Sequence, residues 1–255
     1  MSIILPFFSM FIQVSPRASQ MADSTRTELL SQQENPYPFI TAIPMPRGYT
    51  RTAVEKNSFG QWLRNISLKK NKTIYLYDGS VKKDQSAQFA ILNISIGNKD
   101  LQQCADAIMR LRAEYLYAQK RFDEIIFTDN HNTNYSFGSS ADRVRFDKYL
   151  EKVFSYCGTL SLEKQLHAVK NLKDLQIGDV LIQGGSPGHA MLIVDMAINE
   201  VGKKIVLLAQ GYMPAQDIHV VNNPMNTVLS PWYEIGDKII FTPGWTFFQG
   251  HFKCW

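Results

Sequence analysis

Apolar residues recur with a helical period in one part of the chain and alternate or run together in others. From Asp100 to Arg121 they fall at 101, 104, 105, 108, 111, 115 and 116, one stripe of an amphipathic helix. Asp100 is its expected cap, with Gln103 at the third helical position, close to a capping box. Shorter helices are predicted over 146–154 and in SLEKQLHAVK after Thr159, with Thr159 and Ser161 as cap candidates. Ser58 is placed to cap a short amphipathic turn in SFGQWLRNISLKK. Strands are predicted in TIYLYDG (73–79) and QFAILNISIG (88–97), both β-branched or aromatic and bounded by glycine. From Gln176 the pattern is mostly β, with strands at 178–183, 189–198, 204–212 and 216–221. Segment 128–145 reads as a loop, and a proline- and aromatic-rich tail (SPWYEIG, FTPGWTFF) wraps the fold. The expectation is an α+β fold whose long helix packs on an antiparallel sheet, with a β-rich N-terminal part.

Composition sets limits on that picture. The 255 residues suit one large domain, expected over 37–255, preceded by a possible signal segment and linker over 1–36. The apolar run Ile3–Val14 is too short to cross a bilayer as a helix but has the length of a signal-peptide core. No integral membrane span is expected. A formal charge of +4, with no long basic run and no zinc-finger spacing, argues against nucleic acid. Three cysteines and five histidines, without CxxC or HExxH, point to neither a disulfide framework nor a metal site. Neither a phosphate loop nor a dinucleotide fingerprint is present, so no cofactor is expected.

Candidate chemistry concentrates in three residues. Cys104 lies near a helix start, where the partial positive charge favours a thiolate, although its place on the apolar stripe equally suits an inert core cysteine. His189 follows a Gly-Gly-Ser-Pro-Gly loop and opens an apolar strand, a position that packing rarely requires of histidine. Gln210 sits toward the end of the next strand, where its amide could fix the imidazole tautomer. Strand pairing tests this arrangement. A turn centred between Asn199 and Glu200 sets His189 opposite Gln210, whereas a Val201-Gly202 centre sets Ile193 there and leaves His189 two rungs away. Asp195, expected on the same face as His189, and Gln216 are substitutes for the third position. Arg110 and Glu114 are expected as an ion pair on a solvated helix face, and Asp179 as a turn residue.

Several long stretches resemble the uncharacterised family DUF4846: SFGQWLRNISLK, IYLYDG, KDLQQCADAIMRLRAEYLY, residues 149–199, and LLAQGYMPAQDIHVVNNP with LSPWYE. Members often carry an export or lipoprotein signal, which implies the cell envelope or secretion; no lipobox cysteine stands near this N-terminus. The order of a cysteine at a helix start, then GD, a strand, a Gly loop, GH, a strand and a polar residue is also similar to NlpC- and CHAP-type amidases and peptidases. That second resemblance spans about residues 99–221 and implies a papain-like fold. It makes Cys104 the nucleophile, His189 the base and acid, and Gln210 the orienting residue of a cysteine hydrolase acting on amide or peptide bonds, with peptidoglycan peptides as a substrate class. The chain departs from it in the Ala-Asp that follows Cys104 and in an added helical segment before His189. The alternative is a non-catalytic envelope protein that binds a ligand on the same fold.

Overall fold

The structure is a computed structural model that describes residues 34–139, 141–236 and 239–255. The apolar run Ile3–Val14 and nearly all of the expected linker lie outside the described residues. Four α-helices occur among the described residues: α1 (Phe59–Arg64), α2 (Cys104–Ala118), α3 (Arg143–Tyr156) and α4 (Thr159–Gln165). The long helix starts at Cys104 rather than beside Asp100. The Asp100 carboxylate instead accepts from the Ala215 backbone N–H (2.7 Å) and the Gln103 amide (3.1 Å). Asp106 then accepts from the Gln103 N–H (3.0 Å), closing the cap one turn later. Asp142 caps α3 and Ser58 caps α1. The expected SLEKQLHAVK helix stops at Gln165, because His167–Ala168 leaves it to join the sheet.

The main sheet is antiparallel and has nine strands: β1 (Tyr49–Arg51), β2 (Gln88–Ile91), β5 (His167–Ala168), β6 (Val180–Gln183), β7 (His189–Asn199), β8 (Lys204–Gln210), β9 (His219–Val221), β10 (Trp232–Glu234) and β13 (Phe252–Cys254). Two hairpins stand apart, β3 (Ile126–Thr128) with β4 (Asn134–Ser136) and β11 (Ile240–Thr242) with β12 (Trp245–Phe247). The first falls largely within the segment expected to be loop. The N-terminal part is less rich in strands than its sequence suggests. TIYLYDG turns back at Asp78-Gly79, where the Leu76 N–H bonds the Ser80 carbonyl (2.8 Å), and it contributes isolated bridges only.

A core lies on each face of the sheet. Ala105, Ile108 and Leu111 of α2 pack with Leu192, Val194 and Leu207 on one face. Met191, Ile193, Met196 and Leu208 pack with Phe247 and Phe252 on the other. The tail thus does more than wrap: β10 and β13 pair into the sheet and β11–β12 covers its second face.

The register of β7 with β8 decides where the candidate residues point. Ile198 pairs with Lys204 and Asp195 with Leu207, but Ile193 pairs with Leu208, so Val194 forms a bulge. Neither expected turn centre is realised. The ladder reaches Leu192 with Ala209, and its continuation sets Met191 level with Gln210. His189 lies diagonally from Gln210, within reach of a long side chain.

Candidate functional site

Cys104 is the first residue of α2, not one turn in, so its backbone N–H is among the unpaired donors of the helix start. The helix start comes close to the end of β8 because residue 211 is glycine. A Cβ there would lie 2.8 Å from the Gln103 carbonyl oxygen. The Cys104 thiol is held above its usual range by burial, then by Asp106, while the backbone N–H groups of Ala105, Ala190 and Cys104 pull it down. Asp106 is itself buried and pushed well above the usual carboxylate range by that burial, and once neutral it exerts no repulsion on the sulfur.

His189 is 2 % exposed. Tyr212 meets its ring edge-on at 5.1 Å, and Trp245 and Phe247 of the β11–β12 hairpin lie at 5.5 and 6.0 Å. Burial among these rings pushes the imidazole down to about 4, against a smaller upward pull from Gln210. The preceding loop needs its glycines: a Cβ at Gly188 would sit 2.4 Å from Thr159 Oγ1 and 2.6 Å from the Gly185 carbonyl oxygen.

Gln210 is buried, and its Oε1 lies 2.7 Å from His189 Nε2. Its Nε2 lies 3.3 Å from Nε2 of His219, whose Nδ1 is 2.9 Å from the Asp217 carbonyl oxygen. Sequence reasoning passed over His219 because it has no partner at a diagnostic spacing. The signal available was a histidine inside the apolar run IHVV, within the strand expected at 216–221.

The two substitutes are elsewhere. The Val194 bulge turns Asp195 to the helix side with Leu207, away from Ile193 and hence from His189. There its carboxylate accepts from Arg51 and Arg64, both at 2.6 Å. Gln216 is fully buried beside Leu76, and neither atom of its amide has a partner. Arg110 does pair with Glu114 (2.8 Å), but both are largely buried and joined by Arg143 rather than solvated. Asp179 accepts from the Gln176 N–H (2.8 Å), a turn contact as expected.

A cleft of about 430 Å³ opens beside Cys104, lined also by Gln103, Asp106, Thr159, Met213 and the 185–188 loop. The Gln103 backbone N–H is taken by Asp106, so the backbone of residue 103 supplies no free donor there. A larger cleft of about 860 Å³ is lined by Arg112, Asp179, Lys204 and Trp255 and lacks Cys104, and His189 lines neither cleft. Volume favours the second and nucleophilic chemistry the first. Among the described residues, no group of three or more His, Cys, Asp or Glu side chains could hold a metal ion, and no helix is long and apolar enough to cross a membrane.

Comparison with curated proteins and with solved structures finds no match. The family model described as a domain of unknown function (4846) matches residues 40–139 and 128–254, and with that extent of agreement the chain belongs to that family.

Proposed function

We propose that the protein is a papain-like cysteine hydrolase that cleaves an amide or peptide bond, with Cys104 as nucleophile, His189 as base and acid, and Gln210 as the orienting residue. The observation that supports the reading is the His189–Gln210 pair at the open end of β7–β8, whose next residue, Gly211, lies against the α2 start that carries Cys104. The Ala190 backbone N–H helps to lower the Cys104 thiol, and His189 Nε2 lies 2.7 Å from Gln210 Oε1. In the first step the sulfur attacks the carbonyl carbon as its proton passes to the imidazole. The imidazole returns that proton to the departing nitrogen as the C–N bond breaks, leaving a thioester. Water, deprotonated by the same imidazole, then releases the acid and regenerates the thiol. The Cys104 backbone N–H is one donor for the oxyanion. Peptides of the cell wall are the substrate class, on the likeness in chain order to NlpC- and CHAP-type enzymes, and an envelope or secreted location goes with it.

One observation favours a second reading, a non-catalytic ligand-binding module. Burial holds both the thiol and the imidazole in uncharged forms rather than as a thiolate–imidazolium pair. Iodoacetamide at pH 7 separates the two. The hydrolase alkylates at Cys104 faster than at the partly exposed Cys254, as read by peptide mass mapping. Equal or slower labelling of Cys104, with wild type and Cys104→Ala binding wall peptides equally and turning over none, establishes the binding module instead.

A further inference from the structure

We infer that His219 is a positioning residue for His189, acting through the side-chain amide of Gln210. The inference takes its catalytic meaning from the hydrolase reading, but its geometry stands apart from it. The chain of hydrogen bonds has one consistent assignment of protons, and it is fixed from the end remote from Cys104.

The Asp217 backbone carbonyl can only accept, so His219 Nδ1, 2.9 Å away, must carry a proton. That carbonyl is well anchored, because the Asp217 side chain accepts from Lys69 Nζ (2.7 Å) and the Tyr75 N–H (3.0 Å). His219 is fully buried, and desolvation pushes its imidazole down to about 3, with Lys82 and His189 adding to the depression. The ring is therefore neutral, and its Nε2 offers a lone pair. Only the NH₂ end of Gln210 can face that lone pair, at 3.3 Å. A flipped amide would set oxygen against nitrogen with no hydrogen between them.

With the amide so turned, Gln210 Oε1 faces His189 and can only accept. His189 Nε2, at 2.7 Å, is thus the protonated nitrogen, and Nδ1 is left as the lone pair that can take a proton. Gln210 and His219 are direct partners on β8 and β9, so sheet register holds the relay in place. A glutamine alone presents either end of its amide, and the second imidazole removes the choice.

The test is ¹⁵N NMR of the histidine rings at pH 7. Wild type is expected to show the Nε2–H tautomer at His189 and the Nδ1–H tautomer at His219. The opposite tautomer at either ring, or a charged His219, overturns the inference without any variant. His219→Phe, which has no acceptor for Gln210, is expected to give a mixed His189 tautomer and to slow Cys104 alkylation about 10- to 100-fold, the usual scale for a residue that orients another. His219→Gln, which restores an acceptor, is expected to recover both. A His189 tautomer unchanged in His219→Phe overturns the inference. If Cys104 proves unreactive while the tautomers follow this pattern, the hydrolase reading fails and the relay remains.

Discussion

Gln210 and His219 are cross-strand partners on β8 and β9, so the amide that reaches His189 is backed by a second buried imidazole. Truncation at Gln210 therefore strands two groups at once. Gln210→Ala is expected to cost about 1–3 kcal/mol of stability, since buried polar atoms lose their partner. It should also slow Cys104 alkylation about 10- to 100-fold. Urea denaturation and labelling rates check the two effects separately.

Asp195 belongs to stability rather than chemistry. It is fully buried between Arg51 and Arg64, and Arg64 is itself nearly buried. Asp195→Ala should cost about 3–5 kcal/mol, because a guanidinium is left without its counter-charge. The urea midpoint should fall, while the folded fraction keeps its Cys104 reactivity. Reactivity lost without loss of stability would return Asp195 to the site.

Gly211 tests how closely the helix start must approach the sheet. Gly211→Ala places a methyl 2.8 Å from the Gln103 carbonyl oxygen and 3.0 Å from the Ala107 Cβ. The expected cost is about 1–3 kcal/mol by overpacking, accompanied by altered Cys104 labelling. Gly250→Ala, where a Cβ would meet no atom within 4 Å, is the matched control and should melt close to wild type.

Activity on a wall-peptide substrate should rise through about pH 4 and stay level through neutrality. His189 is held down to about 4 by burial, and it serves as base only when unprotonated. An acid limb near 6.5, the ordinary imidazole value, in the kcat/KM profile would show that the ring is solvated in the working enzyme.

The same depression predicts a stability difference. In the unfolded chain His189 takes up a proton near pH 6.5, but in the fold only near 4, so its contribution is full above 6.5 and lost as pH falls to about 4. Asp179, raised to about 6 by burial, acts in the opposite sense over an overlapping range, which makes a difference measurement necessary. Between pH 7.5 and 4.5, wild type should lose about 2.5 kcal/mol more than His189→Asn, read from denaturant midpoints.

The amphipathic stripe of α2, the β7–β8 hairpin and the order Cys104, His189, Gln210 were readable from residues alone, because each is a local pattern or a chain order. The Val194 bulge was not. Nothing in LIVDM marks which residue goes unpaired, and that one residue reverses the face of Asp195. The cap of α2 was misplaced because Asp100 is engaged by Ala215, over a hundred residues away. The β3–β4 hairpin and the short β5 are too brief to show a period, and they depend on partners such as β13. His219 was invisible because its role depends on a strand pairing rather than on spacing.

The β11–β12 hairpin carries Trp245 and Phe247, which keep water from the His189 ring. Proton affinity at the heart of the molecule is therefore governed by residues far downstream in the chain that take no part in bonding it. Prying open that flap would amount to retuning an acid–base group from a distance.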